Sequence, residues 1–229
     1  MREIVFDTET TGLDPYKGDR IVEIGCVELY NTIPTGQTFH VYLDPERDMP
    51  EEAFRVHGLS REFLTGKPLF AAIADDFLAF IGDDSRLIAH NAEFDMRFIN
   101  AELERVGRPK IQVDRIIDTL VLARRRHPGA SNSLDALCAR YGVDTSRRTK
   151  HGALLDSELL ADVYAELIGG RQAALGLTES VAATKDEVIV AIGARPEALP
   201  SAMTTQESEA HAAFVAKMGD KAIWLKYRV

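Results

Sequence analysis

The first place in this chain where chemistry could be done is a pair of carboxylates at the end of an apolar run. Ile4-Val5-Phe6 leads into Asp7-Thr8-Glu9 and then Thr10-Thr11-Gly12. Side chains alternate along a strand, so Asp7 and Glu9 share one face while Thr8 takes the other. Like charges side by side repel unless a cation separates them, and hard divalent ions take oxygen ligands of this kind. The pair therefore reads as half of a metal site, although an isolated Asp-x-Glu at a strand end is usually two acids facing water. Asp95 stands in the first turn of an expected helix, where a carboxylate also complements the helix dipole. Asp156 stands among Leu154, Leu155, Leu159 and Leu160, beside a buried face where an acid needs a partner. On a continuous helix His151 would lie ~140° away from Asp156, so it is expected on the preceding loop beside Gly152. From there an imidazole can take a proton from an attacking water.

These side chains need a scaffold that brings distant segments together. Residues 2–7, 20–30 and 36–43 read as three strands, the last two separated by the turn-rich Asn31-Thr32-Ile33-Pro34-Thr35-Gly36. Helical periodicity covers 69–81 and stops at Gly82, and Leu87-Ile88-Ala89 reads as a short buried strand. Asn91 is expected to cap the next helix, whose apolar positions Phe94, Phe98, Ile99 and Leu103 recur at helical spacing. A strand near 113–118 and helices near 119–126, 133–141 and 153–168 follow. Early strands followed by alternating helices and strands imply an α/β domain, with a mixed sheet and helices on both faces, over residues 1–170. After Gly170 the composition turns to Ala, Thr, Ser, Glu and Pro, which reads as a linker over 171–203. An amphipathic stretch follows within 204–229, carrying Ala210, Ala213, Phe214 and Met218 ahead of Trp224.

At 229 residues the chain can hold one such domain and an appendage. No apolar run approaches the ~18 residues of a membrane span, and the chain is expected to be cytoplasmic. Cys26 and Cys138 lack metal spacing and are expected to be reduced core residues. A net charge of −9 argues against holding nucleic acid by electrostatics alone. The average hides an asymmetry: between Arg108 and His151 there are ten Lys/Arg against four acids. A basic flank near an acidic site suits a polyanionic substrate met by a metal, though a solvated helix face also explains such a run.

Taken singly, each candidate has an ordinary explanation: Asp95 a dipole partner, Asp156 a helix-face acid, His151 a surface imidazole. Their order is what narrows the choice. Asp-x-Glu on the first strand, Asn-x-x-Phe-Asp at the middle helix and His-x-x-x-x-Asp at the last one resemble the DEDDh, or DnaQ-like, 3′→5′ exonucleases. The resemblance covers residues 1 to about 170 and includes Val56-His57-Gly58-Leu59, Ile88 to Asp95, Ser133 to Cys138 and His151 to Asp156. In wording it is most similar to the proofreading branch of that family. It implies a ribonuclease H-like fold with a five-stranded mixed sheet and two divalent ions, Mg²⁺ or Mn²⁺, held by Asp7, Glu9, Asp95 and Asp156. It further implies His151 as general base and a cradle for the terminal nucleotide at Thr10, Thr11, Gly12 and Leu13, with His57 and Asn91 nearby. His57 and His90 could equally be satisfied core or loop histidines, and Asp118 reads as a supporting acid.

The tail bears on partners. Gln172, Leu175 and Leu177 fit the Gln-x-x-Leu-x-Leu/Phe pattern of peptides that dock into bacterial sliding clamps. Phe214 and Trp224 resemble the aromatic anchors by which proofreading subunits grip a polymerase. The implied partners are the single-stranded 3′ end of DNA, a polymerase catalytic (alpha) subunit, a sliding clamp (beta) and a small theta-like stabilising subunit. Other readings are a stand-alone DEDDh exoribonuclease, or a mainly structural subunit tethering polymerase to clamp.

Overall fold

Alternation along the first strand sets the layers. A computed structural model describes residues 1–148, 150–169 and 203–219. The chain divides into two units, Met1–Gly176 and Leu177–Val229. In the first, β1 (Arg2–Thr10), β2 (Ile21–Tyr30) and β3 (Ile33–Tyr42) form an antiparallel meander. Two short helices follow, α1 (Glu51–His57) and α2 (Arg61–Leu64), and then α3 (Phe70–Ile81). Next come β4 (Arg86–Ala89), α4 (Ala92–Arg105), β5 (Ile116–Asp118), α5 (Thr119–Arg126), α6 (Leu134–Tyr141) and α7 (Ala153–Leu167). β4 and β5 join in parallel to complete a five-stranded sheet of order β3-β2-β1-β4-β5.

Even-numbered β1 residues Ile4 and Phe6, with Ile24, Cys26, Leu87 and Ala89, pack against Phe77 and Ile81 of α3 and Phe98 and Ile99 of α4. Odd-numbered Val5, with Val27, Leu29 and Ile88, packs against Leu160, Ala161 and Tyr164 of α7. Cys138 joins Ala123, Leu137, Leu159 and Val163 in a cluster tying α5, α6 and α7. Both cysteines are free and buried. The α/β architecture with helices on both faces is the expected one.

Local differences have local causes. The six-residue turn expected at 31–36 is only Asn31-Thr32, with φ of 50° and 68°. Left-handed conformation at both central positions is what a two-residue hairpin of this hand requires. Pro34 then lies in β3, an edge strand, where a missing N–H is tolerated. The strand expected at 113–118 is half replaced by a 3₁₀ turn at Val113–Arg115. α1 and α2 occupy a stretch with no expected element. Their marks are brief: Glu51 and Glu52 in one first turn, and Ser60 accepting from the Phe63 N–H at 3.2 Å at the start of the other. Asn91 does not cap α4 through its side chain. It adopts φ 64°, which Asn tolerates, and its own N–H donates to Asp118 Oδ1 at 3.1 Å.

The second unit's described part is α8 (Thr205–Lys217), begun by a capping box between Thr204 and Glu207 and carrying Phe214 exposed. The 172–177 motif, Trp224 and the rest of the 171–203 linker except Met203 lie outside the described residues. No helix among the described residues is long and apolar enough to cross a membrane.

One glycine fixes where α7 begins. Gly25 pairs with Asp7 in the β1–β2 register. A Cβ there would stand 2.2 Å from the Leu154 nitrogen and 2.3 Å from the Ala153 carbonyl carbon. Ser157 Oγ donates to the Gly25 carbonyl at 2.9 Å, fastening the first turn of α7 to the strand. Gly25→Ala is therefore expected to lower stability by about 2 kcal/mol or more through overpacking against backbone that cannot yield. Urea denaturation checks this, and an unchanged midpoint would contradict it.

Candidate functional site

The sheet alternation that builds the core also builds the site. Asp7 and Glu9 continue the Val5 face toward α7, whose first turn carries Asp156, and His151 lies just before that helix. Ligand atoms of Glu9, His151 and Asp156 all fall within 4.8 Å of one another. His151 Nδ1 is 3.0 Å from Asp156 Oδ2. Asp95 comes from the opposite face: on α4 it meets Thr8, with Oδ1 accepting from the Thr8 N–H at 3.0 Å and from its hydroxyl at 2.6 Å. The middle residue of Asp-x-Glu thus anchors the third acid beside the strand end. Sequence reading used Thr8 only to orient its neighbours.

The electrostatics are those of acids confined together. Burial, followed by the charges of Asp95, Glu9, Asp156 and Glu23, holds the Asp7 carboxyl well above its ordinary range. Burial and the charges of Glu23, Asp156 and Asp95 push Glu9 up to about 8, with Arg148 opposing them. Asp95 is raised to about 7, mainly by burial, despite its bonds to Thr8. Glu23, opposite Glu9 in the register and buried, pairs with His40 Nε2 at 2.7 Å. It adds to the negative field and was not singled out from sequence, though its alternation in β2 places it there. Arg148 was counted only as part of a basic run. It donates to both oxygens of Asp156, at 2.6 and 2.7 Å.

This donor set fits divalent metal. Oxygen donors and one imidazole nitrogen converge, the acids repel each other in a desolvated place, and a guanidinium already supplies part of the missing positive charge. Beside the acids opens a cleft of about 520 Å³. Its lining includes Thr10, Thr11, Gly12, Leu13 and His57, together with Val56 of α1 and Phe94 of α4. Asp19 lies under Gly12, where a Cβ would come within 2.3 Å of its carboxylate. His57 is buried; its Nδ1 accepts from the Leu59 N–H at 3.0 Å, while Nε2 makes no hydrogen bond of normal geometry. Asn91 is exposed and does not line the cleft. His90 Nδ1 is 2.9 Å from Thr119 Oγ1, and Asp118 caps α5 through the Leu120 N–H at 2.8 Å.

Three comparisons bear on this geometry. The family model described as "Exonuclease" matches residues 4–164. A protein of Rickettsia felis named DNA polymerase III subunit epsilon is 55% identical over 189 residues, covering 81% of this chain and 82% of its own. One of the same name from Pasteurella multocida is 39% identical over 231 residues, covering 96% of this chain and 90% of its own. Among solved structures, the nuclease domain of 3′hExo, a DEDDh family member bound to rAMP, superposes with a TM-score of 0.64. It is 17% identical and covers 74% of this chain and 92% of that one. That likeness establishes the ribonuclease H-like fold.

The raised carboxyls carry a stability consequence. Glu9 moves from an ordinary 4.5 to about 8 and Asp95 from 3.8 to about 7, so the folded metal-free chain holds protons that the unfolded chain releases. Stability is then lost as pH rises through that window. Metal-free protein is expected to melt at a higher temperature near pH 5.5 than near pH 8, and Mg²⁺ or Mn²⁺ to raise the melting temperature more at the higher pH. Scanning calorimetry with and without chelator measures both; equal stabilisation by metal at the two pH values would contradict it.

Proposed function

This chain belongs to the exonuclease family and is a metal-dependent 3′→5′ exonuclease; on that premise we propose that it is the proofreading subunit, epsilon, of a bacterial replicative DNA polymerase. Its substrate is the single-stranded 3′ end of DNA, and its product a nucleoside 5′-monophosphate. The observation that supports this most is the convergence of Glu9, Asp156 and His151 beside a cleft sized for one nucleotide. Relatives carrying the epsilon name match along most of the chain, and the one from Pasteurella multocida along 96% of it, which favours DNA and a polymerase over a free RNA-trimming enzyme.

In this reading Asp7, Glu9, Asp95 and Asp156 hold two divalent ions, Mg²⁺ or Mn²⁺. The ions supply the positive charge that makes water acidic enough to attack and balances the charge growing on the phosphate. The protein's own groups do the rest. Thr10 to Leu13 and His57 border the terminal nucleotide. Asn91 belongs to the nucleotide site in this reading only through a movement toward it. His151, with Nδ1–H donating to Asp156, keeps a lone pair on Nε2 that takes the proton from water. A P–O bond to water forms as the P–O3′ bond breaks in line, and the departing 3′ oxygen takes a proton from solvent.

The pattern of the tail supports the partners in this reading: Gln172, Leu175 and Leu177 dock into the beta clamp, Phe214 and Trp224 anchor to the alpha subunit, a theta-like subunit is a further partner, and the enzyme works in the cytoplasm. A chiefly structural role would leave this charged, metal-fitting centre without a purpose.

End-labelled DNA with a 3′ mismatch tests the enzyme. Asp7→Asn is expected to reduce digestion to background in Mg²⁺, and His151→Gln to slow it by ~10²–10⁴-fold; digestion by Asp7→Asn at the wild-type rate would refute the assignment. For the tail, joint Phe214→Ala and Trp224→Ala substitution is expected to abolish co-elution with the alpha subunit while digestion persists. Undiminished co-elution would remove the anchor assignment.

A further inference from the structure

Arg148 is a cation already seated among the acids. Its Nε and Nη2 fork the two oxygens of Asp156 at 2.6 and 2.7 Å, Nη1 donates to Asp135, and Nη2 stands 2.7 Å from His151 Nδ1. Its side chain is 8% exposed, against 69% for Asp135 and 48% for His151. An exposed arginine resting on an acid contributes little, whereas a buried fork fixes the carboxylate it holds. Both oxygens of Asp156 are engaged by it, and Asp156 offers one of them to the Glu9, His151 and Asp156 group that fits a metal. His151 is caught as well. Nδ1 has either a lone pair or a hydrogen, so it cannot accept from Arg148 and donate to Asp156 at once.

We infer that Arg148 is a positioning residue that stands in for the metal: it neutralises Asp156 and detains His151 until a divalent ion displaces its guanidinium, with Asp135 remaining as its anchor. The inference rests on the metal-centre reading above. It gives the metal-free centre a defined shape, since Asp156 is held where the ion will need it. It also makes metal entry a competition between two cations for one carboxylate. Displacement frees His151 Nδ1 from its second suitor, so arrival of metal and readiness of the base are coupled. An arginine that merely braced the loop before α7 would have the opposite effect on metal binding, because its removal would scatter the ligands.

The test is Mn²⁺ binding to the full chain without DNA, read from the free-ion electron paramagnetic resonance signal. Arg148→Met is expected to bind Mn²⁺ at least about tenfold tighter, the scale on which partners of metal ligands change affinity, while melting at a lower temperature in chelator. Arg148→Lys, charged but without the fork, should fall between Met and wild type. Unchanged or weaker binding by Arg148→Met overturns the inference. Should that variant not fold, wild-type protein still decides. The Arg148 Nε–H resonance, identified by its loss in Arg148→Lys, should move on saturation with Mg²⁺; a stationary resonance overturns the inference. Asp7→Asn separates the two ideas, because full Mn²⁺ affinity there would contradict the metal centre itself whatever Arg148 does.

Discussion

Confined negative charge is the constraint around which the rest of the structure is arranged. Asp7 and Glu9 are brought to one face by strand geometry, Asp156 is pressed toward them by the seating of α7, and Asp95 reaches the same strand end from the other layer. Asp7, Glu9 and Asp95 resist ionisation, and the cause is first their burial and then, for Asp7 and Glu9, the neighbouring acids. A core of ordinary size can carry such a strain because both faces of β1 are packed, by α3 and α4 on one side and α7 on the other. Binding of cations then relieves at the site what folding imposes there.

Two devices keep that strain localised. Gly25 removes the side chain that would hold α7 away from β2, so the helix begins at the level of Asp7. Thr8, on the opposite face of β1, gives Asp95 two hydrogen bonds and so fixes the acid from the far layer. Both depend on backbone approach and pleat rather than on charge. The nucleotide cleft is likewise a product of packing: α1 brings Val56 and His57 against the Thr10 to Leu13 turn.

Sequence made some of this legible and hid the rest for physical reasons. The sheet and its long helices follow from the pattern, because burial on both faces leaves a continuous apolar run in Ile4-Val5-Phe6 and burial on one face leaves a period of 3.6 in α3 and α4. The acids and His151 could be found because their types are unusual at those places. α1 and α2 escaped because helices of seven and four residues carry too few turns for a periodic signal. Asn91 has the composition of a cap, yet its left-handed backbone fills a different need. Arg148 could not be told from its basic neighbours, since partners such as Asp135 and Asp156 are known only once α6 and α7 are side by side.

Anomalous diffraction at the manganese edge from crystals soaked in Mn²⁺ tests whether the acids at the end of β1 hold divalent ions. The expected result is anomalous density in contact with Asp7, Glu9 and Asp156, with the Arg148 guanidinium moved off Asp156. Saturating Mn²⁺ with no density there, and Asp156 still forked by Arg148, would contradict the account.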